Sequence, residues 1–173
     1  MDDITKGKNI FFELGIKELK KKVPYSITNN IRGLSFIYFH DVFLKNYLNQ
    51  DLINRKHKRI VIISTQRMMP LALYYYRHFW NVVAVIDAKS SLQKITEIIE
   101  NVCFCGIRNV SDKECAGRLS SFEYDILKMR LDGFDATQVT NKLDINLKQY
   151  YKHSERLSKK MGVRKFHHLN ISH

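Results

Sequence analysis

Cysteine is scarce in this chain, and what there is does not pair. Cys103, Cys105 and Cys115 make an odd set with no paired C-x-x-C spacing, which excludes a zinc site readable from sequence. Ordinary reduced thiols are expected, with redox sensing by Cys103-x-Cys105 as the alternative. Long apolar runs are missing too. Nothing approaches the roughly 18 residues of a membrane span, and the start of the chain is acidic and polar, unlike a signal peptide. The expectation is a cytoplasmic protein with no membrane partner. No G-x-x-x-x-G-K-S/T phosphate loop occurs. His167, His168 and His173 give no ligand spacing, because adjacent residues point apart on a helix, and nothing singles out a Cys–His pair. No enzyme activity, cofactor or metal is expected. Acidic residues are outnumbered, 17 Asp and Glu against 29 Lys and Arg, for a formal net charge of +12. That balance favours a polyanionic partner, although a basic surface is often only a solvated one.

What is present supports a folded protein. Hydrophobic residues make up 45% and aromatics 12%, enough for a real core in 173 residues. The charge is spread. Residues 120–173 hold ten Lys and Arg against six Asp and Glu, net +4, and residues 1–119 carry the remaining +8.

The most informative stretch runs from Leu119 to Leu169. Three helix starts in it repeat one signature: Ser120-Ser121-Phe122-Glu123, Asp135-Ala136-Thr137-Gln138 and Asn146-Leu147-Lys148-Gln149. Each sets an N-cap side chain three residues before a Glu or Gln, the capping box that satisfies two orphan backbone N–H groups reciprocally. Each also offers a hydrophobic staple: Leu119 with Tyr124, Phe134 with Val139, Ile145 with Tyr150. Gly133 and Gly162 stand where a helix end turns left-handed. Helices over about 136–143 and 147–161, separated only by Asp144-Ile145-Asn146, predict a helix-turn-helix. On the second of these, Tyr150, Leu157 and Met161 share the core face. Lys148, Tyr151, Lys152, Glu155 and Lys159 share the opposite one.

Leu119-Ser120, Glu123, Ile126-Leu127, Gly133, Val139-Thr140, Leu143, Ile145, Lys148, His153 and Lys160-Met161-Gly162-Val163 together resemble the DNA-binding domain of the LuxR/FixJ class of bacterial regulators. The usual pattern there is LTxRExxVL, then G, IA, L, IS, KTVxxH and KLGV. The likeness spans about 50 residues without a gap. Phe122 stands for the usual Arg, Asn146 for Ser, Gln149-Tyr150 for Thr-Val and Thr140 for Ala. The resemblance implies an all-α four-helix unit over 119–173 that binds double-stranded DNA, its last helix running from Arg164 to about Asn170. It also implies that Tyr151, Lys152 and Glu155 face base edges. Lys148, Lys159, Lys165, Thr137 and Gln138 are placed for backbone phosphates. For Glu155 and Lys152 the alternative is an i,i+4 pair of Glu155 with Lys159 and a solvated Lys152.

The front of the chain alternates helices and aliphatic strands. A helix over Ile10–Val23 ends at Pro24, and Tyr25–Thr28 reads as a short strand. Leu34–Phe39 is a buried strand, followed by a helix from about Val42 to Leu52 and a basic segment, Arg55 to Arg59. Ile60–Ser64 is a continuous aliphatic strand of parallel type. A helix over roughly Pro70–Trp80, a strand at Val82–Ile86 and a helix over Ser91–Val102 complete it, with Ile95, Ile98, Ile99 and Val102 on one face. This is an α/β pattern with a mainly parallel sheet. With such an output unit behind it, it resembles a response-regulator receiver over residues 1–104, joined by a linker at 105–118. Ser64-Thr65 and Lys89 stand where that fold keeps its switch hydroxyl and lysine. Gly7-Lys8 replaces the acidic pair that holds magnesium, and no leading strand precedes the first helix. Asp41 sits at the phosphoacceptor position, where it is an acceptor or simply a helix cap. The receiver is expected to be degenerate and shortened.

The resulting expectation is a phosphorylation-independent, dimeric DNA-binding transcriptional regulator. It is similar in layout to the enterobacterial fimbrial, capsule and acid-response regulators, which implies surface-structure or virulence genes. Alternatives are an auxiliary partner that heterodimerises with a related regulator, and a sigma region-4-like protein that binds RNA polymerase. The aromatic helix Leu73–Trp80 and the last helix are candidate dimer contacts, although Tyr74, Tyr75, Phe79 and Trp80 equally suit a core.

Overall fold

The computed structural model describes residues 10–22, 31, 33–40, 44, 48, 58–105 and 117–164. Expectations for Asp41, Lys165, Cys115, the Tyr25–Thr28 strand, most of the helix at 42–52, most of the 105–118 linker and the helix after Arg164 lie outside them.

Helix α1 (Ile10–Lys22) precedes strands β1 (Leu34–Phe39) and β2 (Arg59–Ser64). Helix α2 (Met69–His78) then leads to β3 (Val82–Asp87) and α3 (Leu92–Cys105). The strands form one sheet in the order β1-β2-β3, parallel throughout, with Phe36 opposite Val61 and Ile62 opposite Val85. The side-chain period of two sorts β2 between two cores. Ile60 and Ile62 face α2, whereas Val61 and Ile63 face α1 and α3. A strand buried on both faces has no polar side to show, which is why Ile60–Ile63 of β2 is unbroken aliphatic sequence. Leu19 of α1 and Ile99 and Val102 of α3 close the second core, with Ile95 and Ile98 packed against it.

Three further helices follow: α4 (Ser121–Leu131), α5 (Ala136–Leu143) and α6 (Leu147–Lys160). All three capping boxes form, with both reciprocal bonds in each. Gly133 and Gly162 adopt φ of 93° and 62°, and Asp144, in the turn between α5 and α6, is left-handed at φ 52°. The staple partners share cores: Leu119 and Tyr124 in one cluster, Phe134 with Val139 and Ile145 with Tyr150 in another.

The two halves of the chain are not separately packed. The core on the α2 face runs from Ile60, Leu71, Tyr75 and Val85 into Leu119, Tyr124, Leu127, Leu157 and Met161. Tyr124 stacks on Tyr74 at 4.3 Å between centroids and meets Tyr75 edge-on at 5.9 Å. The Tyr75 and Tyr124 hydroxyls share a buried hydrogen bond of 3.3 Å, and the Leu119 N–H donates to the Pro70 carbonyl. Burial pushes the Tyr75 phenol far up, and Tyr124 pushes it the same way, so Tyr75 stays neutral. Of the two readings of these aromatics, the core one holds for Tyr74 and Tyr75. Tyr74 and Tyr75 are covered by the chain's own α4, which removes that face of α2 from any dimer contact. Of the four aromatics, Phe79 is half-buried and Trp80, just beyond the helix, is 75% exposed.

Candidate nucleic-acid interface

The interface is built on α6. Tyr150, Ser154, Leu157 and Ser158 are buried along one side of it. The other side is open: Lys148, Tyr151, Lys152, Glu155, Arg156 and Lys159 are all exposed. The helix starts cleanly because Asn146 Oδ1 accepts from the Gln149 N–H at 2.9 Å and Gln149 Oε1 accepts from the Asn146 N–H at 3.0 Å. The left-handed Asp144 reverses the chain so that α5 and α6 cross in the manner of a helix-turn-helix.

Helix α5 presents Thr137 and Gln138, both exposed, at its first turn. Gln138 Oε1 is occupied by the Asp135 N–H at 2.9 Å, which leaves the amide N–H₂ for a phosphate. Thr137 lends its carbonyl to the Thr140 hydroxyl at 2.8 Å, and its own side chain faces water. The expected base-facing trio therefore lies together on α6, while Lys148 and Lys159 occupy the same open side. Glu155 is not free in that surface. It pairs with Lys159 at 2.8 Å, and this ammonium holds its carboxyl below the usual range.

Two features escaped the sequence reading. Lys160 reaches back to α4, donating to Glu123 Oε2 at 2.7 Å and to the Arg118 carbonyl at 2.8 Å. Glu123 also accepts from the Ser120 N–H at 2.7 Å. Burial alone would raise this carboxyl, but the Lys160 ammonium and the Ser120 amide hold it below its ordinary value. The capping-box glutamate thus also ties α6 to α4. The second feature is Phe122, half exposed and stacked on His153 at 5.6 Å and 15°. An aromatic pair occupies the place where the LuxR/FixJ pattern has an arginine. The His153 Nδ1 behind it is buried with no hydrogen-bond partner among the described residues.

At the C-terminal ends of the strands, Ser64 Oγ donates to the Thr65 carbonyl, and the Lys89 N–H donates to Asp87 Oδ1. Cys103 is half-buried, and burial pushes its thiol up against the lowering effect of Arg59, which weighs against a reactive thiolate there. Among the described residues no three His, Cys, Asp or Glu side chains are grouped to hold a metal, and no helix is long and apolar enough to cross a membrane.

A parallel α/β unit followed by a three-times-capped helix-turn-helix defines the class by its architecture: a degenerate receiver-like front ahead of a LuxR/FixJ-type helix-turn-helix. Within that class the chain belongs to the EcpR N-terminal domain family, whose model matches residues 4–103. It is 29% identical over 168 residues to the Vi polysaccharide biosynthesis protein TviA of Salmonella typhi, covering 90% of this chain and 87% of TviA. It is 28% identical over 135 residues to YqeH of Escherichia coli K12, covering 76% of this chain and only 63% of that protein. A solved structure of two RcsB dimers bound to two parallel DNAs shares the fold, with a TM-score of 0.51 at 12% identity over 94% of this chain and 92% of that one.

Proposed function

We propose that this protein is a sequence-specific DNA-binding transcriptional regulator that acts in the cytoplasm as a dimer and without phosphorylation. The observation that carries the reading is α6. One side is locked into the core, and the opposite side offers Lys148, Tyr151, Lys152 and Lys159 to a major groove. Residues 119–173 are the reading unit, joined through 105–118 to the receiver-like 1–104. A single recognition helix contacts too few bases to select one site in a genome, so paired half-sites are needed. The likeness to TviA supports control of surface-structure genes. Genome-wide crosslinking of the tagged protein should recover one shared motif, and the purified chain should shift fragments that carry it. Sedimentation should show two chains per site. Treatment with acetyl phosphate and magnesium should change neither mass nor affinity, because Gly7-Lys8 stands where magnesium needs acids. A stoichiometric adduct at Asp41 with tightened binding would refute that part.

A second reading has one observation behind it. Phe122 takes the place of a cation beside α6, which weakens the chain's own hold on phosphate. It makes the protein an auxiliary partner that binds DNA only in a heterodimer with a related regulator. The purified chain alone then fails to shift the crosslinked fragments.

A further inference from the structure

Most of the exposed face of α6 is charged, but its first turn and a half also carries two exposed apolar side chains. Leu147 is 50% exposed and Tyr151 61% exposed. They lie four residues apart and so form one apolar stripe along the N-terminal part of the helix. A leucine at that place gains little for folding, since half of it remains in water. The Tyr151 ring is also backed rather than loose. It meets Tyr150 edge-on at 5.2 Å and 71°, and Tyr150 is buried with Ile126 and Val139. A side chain held from behind loses little freedom when it docks.

The surroundings state what would dock. Lys148 and Lys152 flank the stripe in sequence, and Arg156 and Lys159 continue the exposed side. The ligand must therefore carry anions on either side of a small apolar group. The N-terminal residues of a recognition helix are the ones that reach base edges. The major groove shows them one apolar feature, the 5-methyl group of thymine. We infer that Leu147 and Tyr151 pack on the 5-methyl group of a thymine in the operator, so that an A·T pair is specified by contact rather than by hydrogen bonds. This rests on the DNA-binding reading above and adds Leu147 to the residues that select sequence.

The test uses the full chain and an operator obtained by in vitro selection from random DNA. Each thymine is replaced in turn by deoxyuridine, which keeps every hydrogen-bonding group and removes only the methyl. At one position in each half-site, wild-type affinity should fall about fourfold, the value of one buried methyl-sized group. Leu147→Ala should bind the thymine operator less well and should distinguish thymine from uracil at that position less than wild type does, with Leu147→Ala combined with Tyr151→Ala losing the distinction altogether. Lys148→Ala should bind more weakly but keep the full discrimination. Leu147 is half in water and alanine favours helix, so circular dichroism of the variant should match wild type. If no thymine is sensitive to demethylation, or if Leu147→Ala discriminates as wild type does, the inference is overturned. It also fails if Leu147→Ala leaves DNA binding intact and abolishes binding to another regulator, because the stripe is then a protein contact. A wild-type chain that selects no sequence at all brings down the DNA-binding reading itself, a separate and recognisable outcome.

Discussion

Glu123 and Lys160 show how one side chain serves two purposes. The carboxylate closes the α4 capping box and fixes α6 through an ion pair whose acidic partner is almost wholly buried. Removing the cation strands a buried charge, so Lys160→Met should cost about 2–3 kcal/mol in urea unfolding near neutral pH. A carboxyl held below its ordinary 4.5 stabilises the fold above that pH, and the contribution is lost as pH falls through the lower folded value. The gap between wild type and Lys160→Met should accordingly be full at about pH 7 and close in acid. A gap that stays constant all the way through acid unfolding would show that the pair is not its source. The exposed residues of α6 separate by another route. Lys152→Ala should cost about 1–3 kcal/mol on the selected operator and relax its sequence preference. Lys159→Ala should weaken all DNA alike and lower the salt slope by about one charge. Equal loss on operator and random DNA for Lys152→Ala would remove it from the base readers. The open side of α6 was legible because helical spacing alone assigns it. The Glu155–Lys159 pair was foreseen only as an alternative, since spacing permits a contact without choosing it. Lys160 was not foreseen, because its partners lie 37 and 42 positions away.

Helix starts carry strong local signals, and it is there that sequence and structure agree best. Helices expected at about 136–143 and 147–161 are found at Ala136–Leu143 and Leu147–Lys160, because each box names its own first residue. Replacing Asn146 by Ala should lower stability by about 1 kcal/mol by removing the α6 cap. Asp144→Gly should do the opposite, raising the thermal midpoint by about 0.5–1 kcal/mol equivalent, because φ 52° costs a residue with a Cβ and not glycine. A drop in midpoint for Asp144→Gly would mean that the aspartate side chain holds the turn. Helix stops without glycine were read less well. The helix expected to reach Trp80 ends at His78, where Phe79 turns extended at φ −121° to enter β3, a demand set by the sheet and not by neighbours in sequence. Helix α3 runs past Val102 to Cys105, as no Gly or Pro lies between them to stop it.

At the scale of the molecule, the seam between the halves decides how the protein behaves. The aromatic run around Tyr74 and Tyr75 suited a dimer contact and a core equally, and the sequence could not say whether a second chain or a distant part of the same one would cover it. The stacked Tyr124 answers it. With one core running through both halves, wild type should unfold in a single transition. Tyr124→Ala should cost about 3–5 kcal/mol and split the melt in two, followed by far-ultraviolet circular dichroism and tyrosine fluorescence together. Coincident single transitions in the variant would mean that the seam is held by the remaining contacts. The seam also has a consequence in time. Synthesis runs from the N-terminus, so Tyr75 is made 49 residues before Tyr124. At about 5–20 residues per second that is an interval of roughly 2–10 s. Throughout it the nascent front half carries an aromatic face that its own unfinished tail has yet to cover, and a chaperone that shields this face has that interval in which to act.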